Sequence, residues 1–336
     1  MSYQWFIGID VSKQTLDITI LNNNEKKMYE QIINSDQSIK SFLKKLRDQK
    51  IALSACLFCL EHTGIYNAHF LKVMEEKKLA VCLESSVHIK QSGGLLRGKN
   101  DKIDSFRIAL YAFKNKEFLT LWQPERIVIK HLRRLSGIRE RLLNAKKQIT
   151  NTIKEDKNFI SKECSVQMTR CCKQSIKALQ EDIKKTEEEI KKVIDGDERL
   201  NELFSIIESV PGVGKITATE IVINTNEFRK INDPRKYACY AGVAPFEHTS
   251  GTSVRGKTRT SKKANLKAKS LLHMTALSAA RFSEDLRKYY ERKVAEGKNK
   301  MNVLNAVKNK IIHRIFACVN QKRLYDKNYK FCLAES

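Results

Sequence analysis

No stretch of this 336-residue chain is apolar for long enough to span a bilayer, which excludes a membrane-spanning helix. The N-terminus, MSYQWFIGIDVSK, lacks the basic-then-apolar order of a secretory signal, and Asp10 interrupts it. A cytoplasmic protein is the expectation. A disulfide framework is also missing: the nine cysteines are odd in number and irregularly spaced, and a chain this long builds a core without staples. Cys56 and Cys59 form one C-x-x-C pair, with no second pair at a metal-binding distance. They sit in the apolar run Leu53–Leu60, where strand alternation sends the sulfurs to opposite faces, so they read as buried structural thiols.

Acidic charge is scarce as well. Lys and Arg number 63 against 38 Asp and Glu, a net charge of +25, and from Ala241 to the end 21 basic residues face 7 acidic ones. An excess of this size makes a polyanion the expected partner, nucleic acid being the commonest. A ribosome-associated or membrane-surface protein shares the feature, so charge sets the partner class and not the chemistry.

The patterning predicts three segments: an α/β domain over 1–124, a helical spacer over 125–202 and a mainly α domain over 203–336. In the first, Trp5–Val11, Leu16–Leu21 and Met28–Ile33 read as a strand meander. Ser35 then caps a helix with Ile39, Phe42, Leu43 and Leu46 on one face. Leu53–Glu61 is the most apolar strand, Thr63-Gly64 opens a helix through Glu76, and Leu79–Leu83 is a further strand. Three antiparallel strands followed by alternating helix and strand is the RNase H-like order. In the spacer, Ile176, Leu179, Ile183, Thr186, Ile190 and Val193 step at coiled-coil spacing, and Asn158 to Gln174 reads as the bend of a helical hairpin. The seam is either a dimerisation arm or a helical pair packed on its own chain.

Asp10 ends the first strand and Glu61 ends the strand Leu53–Leu60, positions where an acid is costly unless paired or bound to a cation. Asp101 and Asp104, three apart, share a helical face. Four hard oxygen donors make a sensible site for Mg2+, with Mn2+ as a substitute, and paired divalent ions suit phosphoryl transfer. Singly, each acid has a bland reading as cap, solvated residue or partner of a lysine. The near match of Gly93–Asn100 to a P-loop is rejected, because Asn100 stands where the magnesium-binding hydroxyl belongs and two acids follow.

The segments GIDVSK, LEHTGIY and GKNDKIDSFRIA resemble the acidic motifs of DEDD-type insertion-sequence transposases of the IS one-ten family, related to the Piv DNA invertase. VPGVGKITATEIV and YACYAGVAPFEHTSGTSVRGKTRTSKKANLKAKSLL resemble its C-terminal domain. The resemblance covers nearly the whole chain and is weakest in the spacer and after about residue 290. It implies a RuvC-like domain whose metal-binding tetrad is Asp10, Glu61, Asp101 and Asp104. The family pattern often has Thr where Asn100 stands, a change that removes no ligand. It implies a serine nucleophile at Ser250, ahead of Gly251, with Thr249 and Ser253 close by; composition alone makes Ser250 a loop residue. The expected function is cutting and rejoining DNA, guided by a structured non-coding RNA, in a homo-oligomer of one or two dimers associated with the nucleoid. A hydrolytic RuvC-like nuclease is the alternative, and a basic architectural protein with decayed acids a third reading.

Around Ser250, Arg255, Lys257 and Arg259 are the cations expected to take up phosphorane charge. Pro211-Gly-Val-Gly-Lys215 is of helix-hairpin-helix type: Gly212 and Gly214 would let amides approach a phosphate beside Lys215, or else form an ordinary interhelical turn. Lys262, Lys263, Lys267 and Lys269 are expected backbone contacts.

Overall fold

The computed structural model describes residues 3–22, 25–92, 100–156, 159–250, 254–260 and 264–327. They divide into two compact units, Met1–Pro124 and Glu125–Ser336.

The first unit opens with strands β1 (Trp5–Val11), β2 (Thr15–Asn22) and β3 (Glu25–Ile33), followed by helix α1 (Asp36–Asp48), β4 (Cys56–Glu61), α2 (Ala68–Lys77), β5 (Val81–Glu84), α3 (Ser86–Ser92) and α4 (Asp101–Lys114). The sheet order is β3-β2-β1-β4-β5. The first three strands are antiparallel, and β4 and β5 run parallel to β1. This is the RNase H-like arrangement that the pattern predicted. Alternation along β1 sends Ile7, Ile9 and Val11 into a core shared with Ile39, Phe42, Leu43 and Leu46 of α1 and Phe70, Val73 and Met74 of α2. Phe6 faces the other side, against Ile108, Ala109 and Ala112 of α4. Ser35 caps α1 by accepting from the Ser38 amide at 3.3 Å.

Two boundaries differ from the sequence pattern. Leu53–Ala55 forms a 3-10 turn, so the strand starts at Cys56. Gly64, at φ +78°, starts a second 3-10 turn over Gly64–Asn67 before α2 begins. Cys56 and Cys59 do lie in opposite cores, and burial pushes the Cys56 thiol up to about 12. Most of the P-loop-like stretch, residues 93–99, lies outside the described residues.

The second unit begins with two long helices, α5 (Ile127–Asp156) and α6 (Lys162–Asp195). There follow α7 (Glu198–Glu208), α8 (Lys215–Thr225), α9 (Pro234–Tyr240), a hairpin of β6 (Pro245–Ser250) and β7 (Val254–Thr260), then α10 (Leu266–Phe282), α11 (Glu284–Ala295) and α12 (Lys300–Asn320). The helices share one core, which includes Ile129 and Leu132 of α5 and Ile190 and Ile194 of α6. The root of the long hairpin therefore belongs to the same unit as α7–α12.

Ile183 and Ile190 of the predicted seam are buried, and Ile176, Leu179, Thr186 and Val193 are half-buried, with α5 packed along α6. The seam is thus covered at least in part by the chain's own helix. The bend is shorter than expected, because Ser161 accepts from the Cys164 amide and starts α6 at Lys162. Among the described residues no helix is long and apolar enough to cross a membrane.

A charged clamp closes the root. Arg126 donates two bonds to Asp197 (2.8 and 2.9 Å) and two to Glu227 (2.9 and 2.8 Å), whose side chain is fully buried. It holds a left-handed run of Asn226, Glu227 and Phe228 (φ 48°, 56° and 62°) that non-glycine residues adopt only when their surroundings fix them.

Candidate metal centre and serine hairpin

The parallel register of β1 and β4 ends on Ile9 opposite Leu60. One step further stand Asp10 and Glu61, side by side at the carboxyl end of the sheet. The neighbouring strands extend the row, since Asp17 of β2 is the register partner of Asp10 and Glu84 of β5 that of Glu61. Four acids therefore line up across β2-β1-β4-β5.

Helix α4 brings two more. Its axis lies so close to β1 that a Cβ on Gly8 would stand 2.2 Å from the Ala109 nitrogen and 2.3 Å from the Ser105 oxygen. Only glycine admits that approach. A buried bond between Thr19 and Ser105 at 2.8 Å ties the same turn of α4 to β2. Asn100 caps the helix, its side chain accepting from the Lys102 amide at 2.9 Å. Asp101 and Asp104 thus sit in the first turn, and Asp104 pairs with Arg107 at 2.8 Å.

The electrostatics report the convergence. Burial first, then the charges of Asp104, Asp101, Glu61 and Asp17, push the Asp10 carboxyl up to about 6. The other three expected acids therefore lie close enough to Asp10 to raise it. Their oxygens have not closed around a point, however: among the described residues no group of three or more His, Cys, Asp or Glu side chains is placed to hold a metal ion. The two findings differ in range, because charges interact over distances longer than a coordination bond. The donor set is the hard-oxygen type that suits a magnesium-like ion.

Asp17 and Glu84 were not legible as site residues. Asp17 is buried and accepts from the Tyr29 hydroxyl at 2.5 Å and from Gln31 at 3.1 Å. That bond is the main reason the Tyr29 hydroxyl is pushed up to about 12. Glu84 accepts from the Tyr111 hydroxyl at 3.4 Å.

In the second unit Ser250 is the last residue of β6, paired in the backbone with Val254 at the start of β7. Arg255, Lys257 and Arg259 follow along β7. The side chains of Ser250 and of these three cations, and all of Ser253, Lys262 and Lys263, lie outside the described residues. Gly212 (φ +86°) permits a close approach, but to the chain's own helix: an added Cβ would meet the Thr275 oxygen at 2.7 Å and Ala279 of α10 at 2.8 Å. Gly214, which caps α8 ahead of Lys215, has open space.

A transposase family model of the DEDD IS110 type matches residues 7–156, and one described as Transposase IS116/IS110/IS902 family matches residues 204–291. Over 327 residues the chain is 24% identical to the pilin gene-inverting protein of Moraxella bovis, covering 96% of this chain and 98% of that one. The chain belongs to the IS110 transposase family. It is also similar to the insertion element IS110 43.6 kDa protein of Streptomyces coelicolor, 27% identical over 124 residues, 37% of this chain and 30% of that one. Among solved structures it resembles T. thermophilus RuvC in complex with a Holliday junction substrate, at 12% identity and a TM-score of 0.28, covering 36% of this chain and all of that one.

In this transposase one expected phosphate contact is otherwise engaged. Lys267 is half-buried and bonds Glu220 at 2.8 Å and Glu140 at 3.1 Å, so its charge is spent inside the second unit. Lys269 donates to the Thr260 hydroxyl at 3.1 Å.

Proposed function

We propose that this transposase cuts and rejoins DNA with two sets of groups: Asp10, Glu61, Asp101 and Asp104 as ligands for Mg2+, which Mn2+ replaces, and Ser250 as nucleophile. The observation that carries the reading is the placement of the acids: strand register sets Asp10 beside Glu61, the close seat of α4 over Gly8 brings in Asp101 and Asp104, and all three help to raise the Asp10 carboxyl. A group held near 6 by burial and then by like charges is one whose cost a divalent cation offsets.

When bound, such ions supply charge for the attacking and leaving oxygens. The protein's own groups do the rest. Asp10 and Glu61 are held by strand register, and Asp101 and Asp104 by the cap at Asn100 and the seat over Gly8. In the proposed step the Ser250 oxygen bonds to phosphorus as one backbone P–O bond breaks. The serine proton passes to a base, and the departing strand oxygen takes up a proton. The reverse attack by a strand hydroxyl releases Ser250 and rejoins the backbone without an external energy source. Arg255, Lys257 and Arg259 offset the charge on the phosphorane. The proposal includes a structured guide RNA, consistent with the net charge of +25, and an oligomer of one or two dimers.

The test is Ser250→Ala with supercoiled donor DNA in Mg2+. The expected result is loss of the covalent protein–DNA adduct and of strand exchange. Undiminished cleavage without an adduct would instead support a hydrolytic nuclease. Sequencing of co-purifying RNA tests the guide: a single structured RNA is expected, and a random population contradicts it.

A further inference from the structure

Among the described residues of the second unit Lys308 of α12 is the most buried lysine, 5% exposed, and no carboxylate pairs with it. Its ammonium has only a long bond to the Asn305 side chain, at 3.5 Å. An ammonium withdrawn from water is costly unless a negative charge meets it. Elsewhere in this unit that rule is obeyed: Lys267 meets two glutamates, and Arg126 an aspartate and a glutamate.

Two further groups face Lys308 from α10, one helical turn apart. Lys269 is half-buried, lies near enough to add to the charge acting on Lys308, and makes its bond to Thr260 at the foot of β7. His273 carries a buried Nδ1 with no hydrogen-bond partner. Burial and the Lys308 charge hold its pKa below the ordinary histidine value, so it is neutral near pH 7 and able to present an N–H. Asn305 donates to the Val243 carbonyl at 2.7 Å, fixing this part of α12 to the segment just ahead of β6. Two cations and an unsatisfied imidazole thus gather where α10, α12 and the foot of the β6–β7 hairpin meet. What the cluster lacks is an anion.

We propose that Lys308, Lys269 and the Nδ1 edge of His273 form a seat for one phosphodiester of a nucleic-acid strand. The ligand class follows from the chemistry: two ammonium groups and a neutral N–H suit a tetrahedral oxyanion with several acceptor oxygens. The inference deepens the DNA-handling reading above, on which it rests. It adds a phosphate contact at the foot of the β6–β7 hairpin.

The experiment uses the full-length protein and two readouts. Binding to duplex DNA and to single-stranded RNA is measured across a salt series for wild type, Lys308→Met and Lys269→Gln. Losing one phosphate contact lowers the slope of log K against log salt by about 0.9 for duplex and about 0.7 for a single strand. Each variant is expected to show that loss with at least one of the two nucleic acids, and the affected one identifies the strand. Melting in inorganic phosphate is compared with melting in chloride at equal ionic strength. Wild type is expected to gain stability and Lys308→Met to gain none, while melting in chloride no lower than wild type. Unchanged slopes in both variants, with the phosphate shift retained, would make Lys308 a buried structural lysine only and overturn the proposal. Should Lys308→Met fail to fold, Lys269→Gln decides on the same criteria. Melting of wild type with and without Mn2+ is measured alongside, a readout separate from the Lys308 and Lys269 slopes, so failure of the metal reading and failure of this seat give different results.

Discussion

Like charge is crowded in both units, but with opposite sign and opposite local remedy. In the first, Asp17, Asp10, Glu61 and Glu84 stand in one row across four strands, and Asp101 and Asp104 approach from the first turn of α4. Among the described residues Asp104 pairs with Arg107 at 2.8 Å and Glu84 lies 3.4 Å from the exposed His88 ring, while the acids at the centre of the row have no cation beside them. In the second, most buried charge is neutralised inside the unit: Arg126 with Asp197 and Glu227, and Lys267 with Glu140 and Glu220. Among the described residues Lys308 is a buried cation without a carboxylate partner. Paired charge in the second unit holds the fold together, whereas unpaired charge marks the two places where a cation and a phosphate are proposed to bind. The strand register that crowds the acids costs stability, and on the proposed reading that cost is tolerated because the crowd is what attracts a cation.

The largest expected effect breaks the comparison on the acidic side. Asp10→Asn should lower Mg2+-dependent strand cleavage by roughly 10²–10³-fold or more, as removal of a preorganised charge-stabilising group does; a gel assay of nicking and adduct formation measures it. Next comes the paired side. Arg126→Ala leaves the fully buried Glu227 carboxylate with only the half-exposed Arg199 at 3.1 Å, and should cost about 3 kcal/mol of stability by denaturant melting. A cost near zero would mean that the clamp is not what holds the left-handed turn.

Gly8→Ala should cost about 2 kcal/mol or more, because the new methyl meets the α4 backbone at 2.2 Å and the helix must shift. It should also weaken divalent-ion affinity, since α4 carries two of the acids. A loss of stability with affinity intact would separate the packing of α4 from its role at the site. Smaller still is the pH effect. With Asp10 titrating near 6, affinity for Mn2+ should rise as pH climbs through about 6 and level off above it. Asp17→Asn should shift that midpoint slightly downward, Asp17 being the last of the charges that raise it.

The acids at strand ends were legible because each interrupts an apolar run, Asp10 after Ile7-Gly-Ile and Glu61 after Leu57-Phe-Cys-Leu. The spacing of Asp101 and Asp104 placed them on one helical face, and alternation alone separated Cys56 from Cys59. Asp17 was not legible, because a polar residue within an alternating strand reads as solvent-facing until the register shows what lies beside it. Glu84 ends a strand only four residues long, too short to reveal its place. The lysines misled in both directions. Lys267 reads as a phosphate contact, yet its partners Glu140 and Glu220 come from distant parts of the chain. Lys308 carries no signal of its own in the sequence, and its burial emerges only when α12 packs against α10. Charge composition gave the class of partner, whereas pairing across long sequence separations decided which cations remain to meet it.

The account turns on whether the acidic row is a site for a divalent cation, and melting of the metal-free and Mn2+-loaded protein tests that directly. Asp10 is raised from its ordinary 3.8 to about 6, so the stability conferred by its protonated form is full below 3.8 and lost as pH rises through 6. In chelator, Asp10→Asn should therefore melt above wild type at pH 8 and approach it near pH 4. On adding Mn2+ at pH 8, wild type should rise and overtake the variant, as binding to the folded state requires. A variant that melts below wild type in chelator, or that gains as much from Mn2+ as wild type does, would contradict the account.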